Sequence, residues 1–353
     1  MQDPLILSLY PVFEEAQSIK IGSRTKLVIF SDLHIGDHTK KDDFLKNSSL
    51  FMYVLQNYYF KQGFHLVLNG DIEELHRFTM QEIERGWQKL YELFDCFARS
   101  KRLYKTLGNH DIVLPLHEEY PLKKQLYEAI KFYYDDNTLF VFHGHQASGF
   151  QTKFNMLGGL LVRYIARPLN IRSYSVSHNK TRQYKVERRV FTFSHDNGLV
   201  SILGHTHRPL FESLSKVDFL RFKIEKLCRE YTESGKRRKK KITEEINHYK
   251  NELKRANQKN HRGYIQRSTY APQMHIPCLF NSGCGIGKRG ITAIEIEDGD
   301  IALVYWFDLD RTSKYFNYYD REPEQLDDSS YYRVVLNRDN LNYIFTRIRL
   351  LSD

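Results

Sequence analysis

Short apolar runs alternate with stretches of helical periodicity along the first 210 residues of the chain. Residues 26–30, 66–68, 103–107, 139–142 and 199–203 are rich in β-branched and apolar side chains and predict buried strands. Residues 43–60, 80–99 and 122–133 carry apolar positions at helical spacing and predict helices. This alternation indicates an α/β fold in which helices cover β-sheets.

Two further patterns modify this outline. Residues 290–296 and 301–306 flank an Asp298-Gly299 turn, which predicts an antiparallel hairpin at a sheet edge or in a second sheet. Residues 150–172 are unusually apolar and are interrupted by Arg163, Arg167 and Arg172. They form either an ordinary core helix or a helical cap, over about 147–190, whose apolar face meets lipid or a membrane surface.

Residues 211–265 have the character of an insertion. They carry 16 Lys/Arg and 8 Asp/Glu, so +8 of the net charge of +10 lies in this segment. Two apolar stripes at helical spacing, separated by a basic turn at 234–241, predict two antiparallel helices; the stripes are Leu220, Ile224, Leu227 and Tyr231, then Ile242, Ile246, Tyr249 and Leu253. The hairpin either attracts a polyanion, such as nucleic acid or an anionic membrane, or is simply solvated. We therefore predict a core of residues 1–210 and 266–353 and a hairpin insertion at 211–265.

The composition is that of a globular protein with a sizeable core. Of the 353 residues, 41% are hydrophobic and 27% charged, and no apolar run approaches the roughly 20 residues of a transmembrane helix. The start at Met1-Gln2-Asp3-Pro4 lacks the basic region of a secretory signal. The four cysteines are too widely spaced for a disulfide framework or a CxxC zinc site. We expect a cytoplasmic location, extended to peripheral membrane attachment if the cap and hairpin meet lipid.

Five predicted strands end in residues that can bind metal. The sequences that follow them are Asp32-Leu33-His34, Gly70-Asp71, Gly108-Asn109-His110-Asp111, His143-Gly144-His145 and Gly204-His205-Thr206-His207. Sites in open α/β sheets form at the carboxyl ends of strands, so these five loops are expected to converge. One such motif alone is weak evidence, but five in order are hard to explain by packing.

In these motifs the chain resembles the calcineurin-like metallophosphoesterases, whose ordered signature is DxH, GDxx[D/E], GNH[D/E], H and GHxH. The resemblance covers about residues 26–209 and resumes at about 277–306. It implies an α/β fold of the metallophosphoesterase type, an αββα sandwich of two β-sheets flanked by helices. A helical cap and the inserted helical hairpin would be additions to that sandwich.

The resemblance also implies a dinuclear metal centre. One ion would be held by Asp32, His34 and His207, and the second by Asn109, His143 and His205, with Asp71 bridging both. This thiolate-free donor set suits two divalent ions, with Mn²⁺ expected first and Fe or Zn²⁺ as alternatives. Two such ions activate a water and clamp phosphate oxygens for in-line attack.

Two further residues have catalytic roles by the same resemblance. His110 corresponds to the histidine that stabilises the charged transition state or protonates the leaving oxygen, and Glu74 to the acidic residue that orients it. Asp111 is a less favoured partner for His110. His145 has three open interpretations: it supports the metal ligands, contacts the substrate or lies on the surface.

The substrate is less clearly indicated than the chemistry. The motif at 70–75 lacks the Asp-Arg-Gly continuation of phosphoprotein phosphatases, and the cap and residues 280–284 look more like bacterial UDP-2,3-diacylglucosamine diphosphatases. Those enzymes typically have Arg at the position of His110, and they lack the basic hairpin. We expect a phosphodiester, pyrophosphate or phosphomonoester substrate, with a nucleotide-linked lipid as one candidate. The alternatives are a metal-dependent nuclease that binds nucleic acid through the hairpin and a non-enzymatic scaffold.

Overall fold

The computed structural model describes residues 3–148, 180–211, 234–260, 277–312 and 322–351, with part of 220–232. The chain folds into two compact units, one formed by Met1–Phe211 with Cys278–Asp353 and the other by Glu212–Pro277. All but the first residue of the predicted insertion at 211–265 falls within the second unit. Most of the predicted cap lies outside the described residues.

The first unit contains a mixed sheet of eight strands. The strands are β2 (Leu27–Phe30), β3 (His65–Asn69), β4 (Leu103–Thr106), β5 (Leu126–Tyr127), β10 (Gly290–Glu297), β11 (Asp300–Asp308), β12 (Glu324–Gln325) and β13 (Tyr331–Asn340). Their order in the sheet is β12-β13-β11-β10-β2-β3-β4-β5. Strands β2 to β5 are mutually parallel, whereas β10 pairs antiparallel with both β2 and β11, and β13 pairs antiparallel with both β11 and β12.

A second mixed sheet has five strands. They are β1 (Gln17–Ile21), β6 (Ile130–Tyr134), β7 (Asn137–Val141), β8 (Val200–Leu203) and β9 (Leu279–Asn281). Their order in the sheet is β1-β6-β7-β8-β9. Strand β6 is parallel to β1 and antiparallel to β7, and β7, β8 and β9 are mutually parallel.

Each sheet packs against its own group of helices. Helices α3 (Ser48–Val54), α4 (Met80–Gly86) and α5 (Gln88–Arg99) share a core with the larger sheet. Helices α1 (Pro4–Leu7), α2 (Leu9–Glu15) and α6 (Lys180–Asp196) share one with the smaller sheet. The first unit is therefore an α/β structure of two mixed sheets flanked by helices, which confirms the α/β prediction.

The predicted strands and the Asp298-Gly299 hairpin are confirmed, but the predicted helix over residues 122–133 is wrong. That segment forms a short 3₁₀ turn at Lys123–Gln125, followed by β5 and β6. Strand β6 is held between β1 and β7. The pairing with β1 joins residues far apart in sequence and overrides the local helical periodicity, which cannot detect such a partner.

The predicted helices over residues 43–60 and 80–99 are interrupted. The first consists of a 3₁₀ turn (Phe44–Lys46), α3 and a π-helical turn (Leu55–Phe60). The second breaks at Trp87, whose ring nitrogen donates a hydrogen bond of 2.9 Å to the buried carboxylate of Asp42. The carboxy-terminal part of the unit adds α8 (Leu341–Leu351), which buries Leu341, Ile344, Phe345 and Ile348.

The second unit contains α7 (Lys236–Asn260), and the described residues between 220 and 232 are also helical. The basic run at 236–241, predicted to lie in a turn, instead forms the first turns of α7. Arg238 donates a hydrogen bond of 2.7 Å to Glu230, which joins the two helical segments across Ser234-Gly235, and another of 2.7 Å to Glu245 within α7. Across the described residues, none of the helices combines the length and the apolar character needed to cross a bilayer.

Candidate metal centre

The five motif loops all follow the carboxyl ends of parallel strands, three in the larger sheet (β2, β3 and β4) and two in the smaller (β7 and β8). Asn69, at the end of β3, links the two sheets at this place. Its amide donates hydrogen bonds of 3.1 Å to Phe142 O and 3.4 Å to Ile202 O, and it accepts one of 2.7 Å from Thr106. The loops of both sheets therefore meet at one edge of the first unit.

The first group of candidate ligands is Asp32, His34 and His207. The distance between His207 Nε2 and Asp32 Oδ1 is 3.0 Å, and that between His207 Nε2 and His34 Nε2 is 3.2 Å. Asp32 is fully buried and also accepts hydrogen bonds of 3.0 and 3.2 Å from the backbone nitrogen of His205. These three side chains could hold a metal ion between them.

The second group is Asp71, His143 and His205, all of which are buried. His143 Nε2 lies 3.0 Å from Asp71 Oδ2 and 3.9 Å from Asp32 Oδ1, so the carboxylates of the two groups are neighbours. Asp71 also belongs to a cluster with His34 and His110. Its position between the groups is the one expected of a bridging ligand.

The ring orientations in both groups direct lone pairs into the centre. His143 Nδ1 donates to the carbonyl oxygen of Asn69 at 2.9 Å, and His34 Nδ1 donates to Glu74 Oε2 at 2.9 Å. In the neutral rings Nε2 is then unprotonated and faces the other candidate ligand atoms of its group. Such mutually facing acceptors repel one another unless a cation or a proton lies between them.

Two buried polar atoms also indicate that a metal ion binds here. Within the part of the chain that the structure describes, Asn109 Oδ1 and His205 Nε2 are buried without a hydrogen-bond partner. Buried polar groups are normally satisfied, so each such atom needs an explanation. A divalent ion of the Mn²⁺, Fe or Zn²⁺ type, which accepts amide, carboxylate and imidazole ligands, fits this donor set.

The buried charges of the second group stabilise one another. Burial lowers the pKa of His143, but the carboxylates of Asp71 and Asp32 outweigh burial and raise it to about 9. Burial raises the pKa of Asp71, but the charges of His143 and His110 hold it well below its usual range. The pKa of His205 falls well below its usual value because of burial and the charge of His143. The carboxylates thus require a nearby positive charge, while His205 stays neutral and able to ligate.

The backbone of the ligand loops is strained. Five candidate ligands have positive φ angles, a region that non-glycine residues rarely occupy: Asp32 (53°), His34 (48°), Asp71 (52°), His205 (61°) and His207 (53°). Each such residue costs on the order of 1–3 kcal/mol and persists only where its surroundings enforce it. Clustering of this strain at one place is typical of a functional site.

Close packing also explains a glycine in the third motif. A Cβ atom added to Gly108 would overlap the backbone nitrogen and the Oδ1 atom of Asp71. The β4 loop can therefore approach Asp71 only if residue 108 has no side chain. This approach also allows the backbone nitrogen of His110 to donate a hydrogen bond of 2.7 Å to Asp71 Oδ1.

His110 and Glu74 form a pair beside the first group. Glu74 accepts one hydrogen bond from His110 Nδ1 and one from His34 Nδ1, both at 2.9 Å. Burial lowers the pKa of His110, but Asp71 and Glu74 raise it to about 9. Burial raises the pKa of Glu74, but the hydrogen bonds from the two histidines outweigh it and lower that pKa below its usual range. His110 is thus an oriented cation whose side chain is 17% exposed.

Three residues near the centre refine the set predicted from the sequence. His145 is fully buried, which excludes its surface interpretation, and burial lowers its pKa to about 3. Asp111 does not pair with His110 but binds Lys105 and two backbone nitrogens. The exposed His76 was missed because it matches no motif; its ring lies 4.3 Å from that of His110.

The structure therefore brings together six of the seven predicted ligands as well as His110 and Glu74, and the seventh, Asn109, lies between Gly108 and His110 in the β4 loop. Glu74 was predictable only from its place three residues after Asp71 in the second motif, whereas nothing in the sequence pattern indicates His76. No family model matches this chain, and no curated protein matches it at a significant level.

Proposed function

We propose that this protein is a dinuclear metal-dependent phosphoesterase with the αββα sandwich of the metallophosphoesterases. The observation that carries this proposal is the convergence of carboxylate and imidazole side chains from five loops, among them an oriented, partly exposed histidine. Such a set is unusual for a structural role, because it buries opposed charges and strained backbone that packing alone does not need.

In this proposal the two donor groups have separate tasks. Asp32, His34 and His207 would hold one divalent ion; Asn109, His143 and His205 would hold the other; and Asp71 would contact both. We propose Mn²⁺ as the metal, with Fe or Zn²⁺ as alternatives. Metal ions bound here would supply an acidified water as nucleophile and would neutralise charge on the phosphate oxygens.

His110 would act on the substrate directly. Protonated and held by Glu74, it can donate a hydrogen bond to a phosphoryl oxygen as charge develops, or a proton to the leaving oxygen. Its edge-on contact with His34, with ring centroids 4.6 Å apart, places this donor next to the first ligand group. Glu74 would act through His110 and His34 rather than on the substrate.

We propose a phosphodiester, pyrophosphate or phosphomonoester as the substrate class, with a nucleotide-linked lipid as one candidate from the sequence resemblance. A nuclease activity is the alternative within the same chemistry. A scaffold function is less favoured because scaffolds of this fold usually lack ligands or the histidine, and both are present here. The widely spaced cysteines support the proposal of a cytoplasmic location.

The test is hydrolysis of bis-p-nitrophenyl phosphate and p-nitrophenyl phosphate with added Mn²⁺. We expect wild-type activity on at least one substrate and a loss of about 100-fold or more in Asp71→Asn and His110→Ala. The matched controls are Asp136→Asn, in an exposed turn, and His195→Ala, outside the site, which should keep wild-type rates. The diester-to-monoester ratio would direct the search for the natural substrate.

Two results would contradict the proposal. One is full activity in Asp71→Asn, which would mean that hydrolysis does not depend on this centre. The other is a wild-type protein that neither binds Mn²⁺ nor hydrolyses either substrate, which would favour the scaffold alternative.

We also propose an anionic membrane surface as the partner of the second unit. Six basic side chains are exposed on α7, whereas its apolar Ile242 is buried; the six are Lys236, Arg237, Lys240, Lys241, Lys250 and Lys254. Each Lys or Arg near an anionic bilayer contributes about 1 kcal/mol of attraction. These six side chains would support reversible electrostatic attachment.

Flotation with neutral and with anionic phospholipid vesicles tests this partner. We expect binding only to anionic vesicles, and we expect Lys236→Glu/Lys240→Glu to abolish it. The control Lys123→Glu/Lys124→Glu makes the same charge change at exposed residues of the first unit. Binding to duplex or single-stranded DNA in place of vesicles would overturn the membrane proposal and favour the nuclease alternative.

A further inference from the structure

A fully buried ion cluster joins the loops that carry the candidate ligands. Lys105, in β4, is 0% exposed, and its Nζ lies 2.9 Å from Glu73 Oε2 and 2.8 Å from Asp111 Oδ2. Both carboxylates are also completely buried. None of these three side chains is a candidate metal ligand, and the proposed chemistry does not use them.

Asp111 connects the β4 loop to the β3 loop through hydrogen bonds from two backbone nitrogens. Its Oδ1 accepts a hydrogen bond of 2.6 Å from the backbone nitrogen of Gly108, and its Oδ2 accepts one of 2.9 Å from that of Ile72. Asn109 and His110 lie between Gly108 and Asp111, and Ile72 directly follows Asp71. One carboxylate therefore sets the position of Asn109 and His110 relative to Asp71.

Glu73 extends the same connection in two other directions. Its Oε1 accepts hydrogen bonds from the hydroxyls of Tyr91 (2.9 Å), in α5, and Tyr120 (2.7 Å). Its backbone forms an isolated parallel bridge with Ile35, the residue that follows His34. The cluster thus connects the loops of β2, β3 and β4 with the helical layer.

The charge of the cluster is difficult to explain by stability alone. With all three groups ionised, two carboxylates and one ammonium carry a formal charge of −1 in a fully buried place, where burial raises the pKa of Glu73. Ions are costly there, and apolar side chains of similar volume are usually at least as stable. Directional hydrogen bonds to backbone nitrogens, however, are something that an apolar cluster cannot provide.

We propose that Lys105, Glu73 and Asp111 are positioning residues. They hold Asn109 and His110 at fixed positions relative to Asp71 for metal binding and catalysis. This inference rests on the proposed function. Asp111 makes the backbone contacts, Lys105 offsets the repulsion between the two carboxylates, and Glu73 anchors the ammonium to Tyr91 and Tyr120.

The test compares Lys105→Met, Asp111→Asn and the double variant Lys105→Met/Glu73→Gln. Lys105→Met leaves two carboxylates facing each other, and Asp111→Asn loses its pairing with the ammonium. We expect each single variant to bind Mn²⁺ about 10–100-fold more weakly by titration calorimetry and to lose a similar factor in kcat, with KM changed less than about threefold. The double variant restores the original net charge and should recover most of the Mn²⁺ affinity that Lys105→Met loses.

The control is Lys131→Met, which removes another buried lysine of the first unit at a distance from the centre in sequence and topology. Lys131 contacts Glu14 O and the ring of Phe13 in the layer beside the smaller sheet. A purely structural role of Lys105 predicts that both lysine variants lower Tm and leave the Mn²⁺ affinity of the folded protein unchanged. All titrations are made well below the Tm of each variant.

Wild-type Mn²⁺ affinity in folded Lys105→Met and Asp111→Asn would overturn the inference, as would a double variant no better than Lys105→Met. If Lys105→Met does not fold, the Mn²⁺ affinities of Asp111→Asn and Glu73→Gln are compared with that of the wild type instead. If the wild type binds Mn²⁺ but hydrolyses no phosphoester, the proposed function fails, and the calorimetric comparison still decides whether these residues position the centre.

Discussion

Glu74 shows how much of this centre depends on the two oxygens of a single carboxylate. One oxygen accepts a hydrogen bond from His34 and the other from His110, so one side chain orients both a candidate ligand and the candidate catalytic cation. The sequence resemblance implied an acidic partner for His110. It did not indicate that the same residue also fixes the ring of His34, because that contact exists only once the β2 and β3 loops meet.

Replacing Glu74 by Gln should remove one of these two hydrogen bonds. An amide offers one acceptor oxygen, and its nitrogen can only donate, so either His34 or His110 loses its partner. We expect kcat on the active model substrate to fall about 10–100-fold. The exposed Glu118→Gln is the control, and equal kcat values for the two variants would contradict this role.

Gly108 has no room for a Cβ atom, because the backbone nitrogen and Oδ1 of Asp71 lie 2.2 Å from the place it would occupy. Gly108→Ala should displace Asp71 and abolish tight Mn²⁺ binding, and overpacking of this kind costs about 1–3 kcal/mol of unfolding free energy. Gly22→Ala is a matched control, because nothing lies within 4 Å of the Cβ that it would add. Calorimetry with Mn²⁺ and thermal unfolding measure the two effects, and unchanged Mn²⁺ affinity in Gly108→Ala would refute the prediction.

At the scale of elements, helix α6 supports the loop that follows β8. Glu187, in α6, accepts a hydrogen bond of 3.0 Å from the Thr206 hydroxyl and forms a two-point ion pair with Arg208. Thr206 lies between the candidate ligands His205 and His207. The helix therefore fixes the direction in which both imidazoles enter the centre.

Glu187→Ala should loosen this loop while leaving the rest of the smaller sheet intact. The loss leaves the buried Thr206 hydroxyl with one partner fewer, which costs about 1–3 kcal/mol of unfolding free energy. We expect Mn²⁺ affinity to fall about tenfold in titration calorimetry, as for other residues that support metal ligands. The control is Glu15→Ala, at an exposed residue of α2, which should change neither the unfolding free energy nor the Mn²⁺ affinity. Equal values of both quantities in the two variants would mean that α6 does not support the loop.

For the whole molecule, folding and metal binding should be linked. Asp32 and Asp71 are buried carboxylates brought together only in the native state, so a divalent ion binds the folded chain far better than the unfolded chain. Saturation at about 100 times Kd adds about 2.7 kcal/mol to the unfolding free energy.

Thermal unfolding with increasing Mn²⁺ tests this linkage without any assay of activity. We expect the Tm of the wild type to rise with Mn²⁺ and to fall again with chelator, and we expect Asp71→Asn to show little response. An equal rise in both proteins would mean that Mn²⁺ stabilises the fold at some other place.

The sequence by itself determined the elements with strong local signals. The apolar runs of β2, β3, β4, β7 and β8, the Asp298-Gly299 hairpin and the motif residues at the strand ends are all local in sequence, and carboxyl ends of parallel strands necessarily share an edge. That was enough to predict the α/β class and to name the residues that the structure brings together.

Only the tertiary structure decided features that depend on long-range pairing. Residues 130–134 form a strand instead of a helix because β1, from the beginning of the chain, pairs with them. Likewise the Lys105–Glu73–Asp111 cluster and the two-sided role of Glu74 arise from loops that meet in space. Local periodicity records which face of a segment is apolar, but the partner of a buried charge or of a strand edge is fixed only when the whole chain has folded.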